Sequence, residues 1–149
     1  MTSPSLDRGG PGPRGRALFL RYWLPVLAYI GLIFSLSSIQ GRWIPSLFPY
    51  MDKIAHLMEY SLFGLLLGRA IRFTLARGSA FVITVATVAL GAAVGCLDEI
   101  YQGSVPGRQS DPLDWLTDLA AITAAVVLMQ VVHVGPLGGR GRGAKDADR

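Results

Sequence analysis

The chain holds 149 residues, 51% hydrophobic and only 16% charged, with a mean hydropathy of +0.42. That length fits one domain, and so little charge excludes an ordinary water-soluble globule, in which about a quarter of residues are charged. The net charge of +4 sits in terminal tails and one short loop beside apolar runs, which reads as topology signals and not as a nucleic-acid surface, and the single cysteine excludes an internal disulfide or a cysteine metal centre.

Residues 1–16 are rich in Gly, Pro and charge without periodicity and are expected to form a disordered tail. Apolar stretches then run from Ala17 to Ser38, Ile54 to Leu75, Ser79 to Leu97 and Pro112 to Val134, each near the roughly 20 residues a helix needs to cross a bilayer core. The first is longer than the core of a secretory signal and is read as a true span. Residues 135–149 form a second, basic tail expected to be disordered. The expected fold class is all-α: a polytopic membrane protein built as a four-transmembrane-helix bundle over residues 17–134.

Positive residues collect on cytoplasmic loops, so their distribution predicts orientation. Arg8, Arg14, Arg16 and Arg21 lie at the first span, Arg69, Arg72 and Arg77 between the second and third, and Arg140, Arg142, Lys145 and Arg149 after the fourth. Of 14 basic residues only Arg42, Lys53 and Arg108 fall on the other side, which predicts cytoplasmic termini in a multi-pass protein of the cell (inner) membrane. Most acidic residues lie on the opposite, extracytoplasmic side, and insertion rules do not account for that bias.

On the second span Asp52, His56 and Glu59 are spaced i, i+4 and i+7, within about 60° of arc on one helical face, with Lys53 and Tyr60 at its border. Glu59 lies deep enough to be expected to point into the bundle. The third span closes on Asp98, Glu99 and Gln102, with Gly91 and Gly95 on the stripe below in the spacing that permits close helix contact. The fourth repeats the pattern with Asp111, Asp114 and Asp118, continuing into Ala121 and Ala125. The segment from Gly103 to Ser110 contains the turn pair Pro106 and Gly107 and brings Arg108 over the same region, where its planar fork suits an anionic group. These residues are expected to converge in one extracytoplasmic pocket.

Structural roles compete with that reading. Asp52 and Asp111 stand where N-caps belong, Asp114 suits a first helical turn, and His56 and Tyr60 read equally as hydrogen-bonded structural groups. Trp43, Tyr50 and Trp115 read as interfacial anchors. Glu59, Asp98, Glu99 and Asp118 resist such roles, because an uncompensated carboxylate within a membrane costs up to about 2.5–3.5 kcal/mol. No dense ligand motif appears in the sequence, so neither a metal nor a cofactor is expected.

The ordered set Asp52-Lys53 with His56 and Tyr60, Asp98-Glu99 with Gln102, Pro106-Gly107-Arg108, then Asp111, Asp114 and Asp118 resembles the VanZ-like family. Asp118 stands where many members carry Asn, and Ala121 and Ala125 replace glycines. The resemblance implies an integral membrane protein, with a naming member associated with low-level resistance to a glycopeptide antibiotic, and no settled reaction. Two functions are therefore expected to compete: a binding protein for a lipid-linked or glycopeptide-like envelope molecule, and an intramembrane enzyme acting on an envelope lipid through His56, Glu59, Asp98 and Glu99. Membrane lipids are the expected partners in either case.

Overall fold

A computed structural model describes residues 13–43 and 49–134. They form four long helices, α1 (Pro13–Ser37), α2 (Met51–Thr74), α3 (Ala80–Gln102) and α4 (Pro112–Val134), with a short 3₁₀ turn at Gly41–Trp43. Each contains an apolar segment of 21 to 24 residues. At 1.5 Å per residue even the shortest spans about 30 Å, the thickness of a bilayer core.

Helix boundaries follow local chemistry. Pro13 opens α1, a position where its missing N–H is no loss, so residues 13–16 are helical and not part of the expected tail. The remaining tail residues, 1–12 and 135–149, lie outside the described residues. Tyr50, with φ of 64°, leads into α2, and the Ser79 hydroxyl caps α3 by accepting the Val82 N–H at 3.3 Å. The third helix continues beyond Leu97, where the apolar run stops, to Gln102. Its polar residues are thus part of the helix interior, because burial against neighbouring helices decides its length and hydropathy does not.

α4 packs chiefly on α2 and then on α3, while α1 lies across α2 and α3. Small residues set the closeness. A Cβ on Gly64 would stand 2.9 Å from the Ile122 backbone, and one on Gly91 would stand 2.7 Å from the Ile122 side chain. Ala121 and Ala125 are themselves buried in this seam. Ile33, Phe63, Leu67, Ile71, Ile83 and Ile122 complete the apolar interior. Leu24, Leu27, Phe81, Leu97, Leu128 and Val131 point outward on three of the helices, and with Leu62 on α2 they give every helix an apolar exterior suited to lipid.

Neighbouring helices in sequence run antiparallel, as the cross-links at each end show. The indole of Trp23 donates to Thr74 Oγ1 at 3.0 Å, and Gln130, accepting from Arg72 at 2.7 Å, donates to the Ala80 carbonyl at 3.4 Å. At the opposite end Gln102 donates to Ser37 Oγ at 3.2 Å and Lys53 to Asp111 at 2.8 Å. The two ends of the helical domain therefore lie on the same side, with Arg16, Arg21, Arg69, Arg72 and Arg77 toward that side and the acidic residues among the described ones toward the other.

A buried polar cluster as candidate functional site

The acidic end is assembled from the start of α2, the end of α3 and the start of α4, and the α2–α4 and α2–α3 seams bring these segments together. Gly95 is the hinge of the arrangement: a Cβ there would stand 3.1 Å from Asp118 Oδ2 and 3.3 Å from the Trp115 ring. The glycine stripe on α3 thus admits the polar face of α4.

Nearest the membrane boundary, the Lys53 ammonium donates to Asp111 Oδ2 at 2.8 Å and Asp114 Oδ1 at 2.7 Å. Asp111 has a double use. Its Oδ1 accepts the Leu113 N–H at 2.9 Å, capping α4, while its other oxygen takes Lys53. Its bond from Lys53, helped by the capping N–H, holds this carboxyl below the ordinary aspartate range. Asp114 is buried and ion-paired, so its role exceeds the favourable dipole interaction of a first-turn acid. Asp52 differs. It lies within the first turn of α2 and does not cap it, its side chain is 61% exposed, and it approaches Lys53 only to 3.8 Å. The helix starts two residues too early for Asp52 to act as cap, so this residue stays at the rim.

Beneath that rim, His56 Nδ1 lies 2.9 Å from Asp118 Oδ1 and His56 Nε2 lies 4.0 Å from Glu99 Oε1, all three side chains being buried. Glu99 is held from behind: its Oε2 accepts the backbone N–H of Asp111 at 2.8 Å. Asp98, also buried, accepts the Tyr60 hydroxyl at 3.2 Å and the Gln102 amide at 3.0 Å on one oxygen. The other oxygen of Asp98, and Oε1 of Glu59, Oε1 of Glu99 and Oδ2 of Asp118, are buried without a hydrogen-bond partner. Such groups are few in folded proteins and each signals something unsupplied.

Arg108 enters from the loop between α3 and α4. Gly107 takes φ of 77° in that loop, the Pro106 carbonyl accepts the Gly41 N–H at 3.2 Å, and the Arg108 guanidinium donates to Gln102 Oε1. The 3₁₀ turn after α1 therefore clamps the loop. A Cβ on Gly41 would collide with the Gly107 carbonyl, so only glycine permits the contact.

Of the residues picked out in the sequence, His56, Tyr60, Asp98, Glu99, Gln102, Asp114 and Asp118 form one buried cluster, with Lys53, Asp111 and Arg108 above it. Glu59 lies beside it under α1, where its backbone carbonyl accepts the Tyr29 hydroxyl at 3.2 Å. Trp115 is not a surface anchor: its indole donates to the Ala92 carbonyl at 3.0 Å and binds α4 to α3. Trp43 and Tyr50 remain exposed. Sequence reasoning missed the share of α1, which supplies Ser37 to Gln102 and Tyr29 to Glu59. Tyr29 and Ser37 stand singly in an otherwise apolar span, without the spacing that marked the other three helices.

Four antiparallel apolar helices closed at one end by a buried carboxylate–histidine cluster define a multi-pass membrane protein with a polar centre inside its helical domain. The VanZ/LLP1 family profile matches residues 16–133, which take in all four helices, and the chain belongs to that family. No curated protein and no solved structure matches the chain significantly.

Proposed function

We propose that this protein resides in the cell (inner) membrane with both termini cytoplasmic, and that its polar end, on the extracytoplasmic side, binds the anionic headgroup of a lipid-linked envelope molecule. The observation that carries this reading is the state of Arg108. Lys53 is saturated by two aspartates, but among the described residues no carboxylate lies within 4.0 Å of the Arg108 guanidinium, which Gln102 alone orients. A half-buried, aimed guanidinium without a counter-ion is a receptor for phosphate or carboxylate. Native mass spectrometry of the purified chain with its co-purifying lipids tests this. Arg108→Ala is expected to reduce retention of an anionic lipid about tenfold or more, the loss of a charge-assisted bond. Equal retention by the variant and the parent protein would refute the reading.

A second reading, catalysis on an envelope lipid, is favoured by the pairing of His56 with Asp118, which orients an imidazole for proton transfer. Under it, His56→Ala and Glu99→Gln abolish turnover of the retained lipid while leaving its retention intact. Retention that depends on Arg108 with no turnover in any variant leaves the binding function alone.

A further inference from the structure

Three buried residues, His56, Glu99 and Asp118, have a common peculiarity. Each is fixed by one polar atom and leaves another unused. Glu99 gives Oε2 to the Asp111 backbone and keeps Oε1 unpartnered; Asp118 gives Oδ1 to His56 and keeps Oδ2 unpartnered; His56 gives Nδ1 to Asp118, and its Nε2 faces Glu99 Oε1 at 4.0 Å. One ring nitrogen of His56 and one oxygen each of Glu99 and Asp118 lie within 4.8 Å of one another.

We propose that His56, Glu99 and Asp118 bind a divalent first-row transition cation, Zn²⁺ or Mn²⁺. The inference stands without the headgroup reading, since it uses neither Arg108 nor any lipid. Bonds of about 2.1 Å in a tetrahedral shell place two ligands of one ion about 3.4 Å apart, so the group needs a closure of up to roughly 1.4 Å, within the reach of side-chain torsions. An imidazole with two carboxylates suits Zn²⁺ or Mn²⁺ better than Mg²⁺, which keeps most of its water and seeks oxygen donors.

Charge argues the same way. Two carboxylates and one imidazole carry net negative charge when ionised, they are buried inside a membrane domain, and the nearest ammonium, Lys53, is engaged by Asp111 and Asp114. A dication neutralises the pair. The Asp111 backbone N–H that holds Glu99 from behind is the kind of outer contact metal sites use to fix ligand direction, whereas the His56–Asp118 bond joins two of the ligands and is the contact the ion would replace. The three residues are far apart in sequence and on three different helices, which is why no ligand motif is visible along the chain.

The test uses the full-length protein in detergent, purified through an affinity tag without histidine, with ZnCl₂ and MnCl₂ as probes. Elemental analysis after dialysis is expected to return about one Zn²⁺ or Mn²⁺ per chain, with Mg²⁺ in excess failing to displace it. Glu99→Gln and Asp118→Asn are each expected to weaken Zn²⁺ binding at least tenfold, roughly the loss seen on removing even an outer partner of a metal ligand. Should either variant fail to fold, Co²⁺ added to the unaltered protein gives a second measurement: visible d–d absorption that Zn²⁺ abolishes supports the site. No retained metal and no Co²⁺ absorption would overturn the proposal. Unchanged affinity in both folded variants would overturn it equally.

Discussion

His56 on α2 and Asp118 on α4 meet at 2.9 Å between buried side chains, where the histidine ring needs an oxygen partner. Asp and Asn alike offer an oxygen to the His56 N–H. We predict that Asp118→Asn leaves metal-free stability within about 1 kcal/mol, while Asp118→Ala strands the buried N–H and costs about 1–3 kcal/mol. Reversible unfolding in mixed micelles measures both; an Ala variant as stable as the Asn variant would show that the pair contributes nothing to the seam.

The glycines on α2 and α3 are predicted to differ in tolerance. At Gly64 an added methyl meets the Ile122 backbone at 2.9 Å, which can yield only if α4 shifts, whereas at Gly91 it meets the Ile122 side chain, which can change rotamer. Gly64→Ala should therefore cost about 1–3 kcal/mol, and Gly91→Ala clearly less. Reversal of that order in the same unfolding assay would mean that the α2–α4 seam is looser than described.

Orientation is predicted from the basic residues at one end of the bundle. A reporter active only outside the cytoplasm should be silent when fused after Arg149 and active when inserted at Gly103, in the α3–α4 loop. The opposite pattern would place the polar cluster on the cytoplasmic side and exclude an extracytoplasmic ligand.

Asp111 provides a pH prediction. Its carboxyl titrates lower in the folded protein than in the unfolded chain, chiefly through the bond from Lys53, so its stabilising effect is present above the unfolded value of about 3.9 and disappears as pH falls through the folded value. Asp111→Asn keeps an acceptor for the cap and removes the charge. The difference in thermal midpoint between parent and variant should thus be constant from neutral pH down to about pH 5 and vanish in stronger acid. A difference that grows on acidification would contradict the ion pair.

Much of this architecture was legible because membrane helices announce themselves by length and hydropathy, and because i, i+4, i+7 spacing fixes which side chains share a face. Spacing put Asp52, His56 and Glu59 on one stripe and Asp111, Asp114 and Asp118 on another and set Glu59 deeper than Asp52, but it did not show which residues of a stripe neighbouring helices would cover. Asp52 sits at an exposed rim and His56 one turn deeper is buried, a difference set by where α2 begins relative to its neighbours. The third span was read as closing on Asp98, Glu99 and Gln102 although hydropathy fades at Asp98, but the partners that satisfy those side chains, among them Tyr60 and the Asp111 backbone N–H, were not legible. The part played by α1 was hidden because its polar contacts come from single Ser and Tyr residues with no spacing pattern.

The partnership of Lys53 and His56 with Asp111, Asp114 and Asp118 also orders events during synthesis. The acidic helix α4 leaves the ribosome last, and its two inward aspartates each oppose partition into lipid by up to about 2.5–3.5 kcal/mol. By then α2, carrying the ammonium and the imidazole that receive them, is already in the membrane. The last helix is thus drawn into the bilayer by groups waiting there from the second, and in a translocation assay α4 should integrate poorly alone and efficiently when α2 precedes it. Equal integration in the two cases would leave the order of the helices along the chain without this rationale.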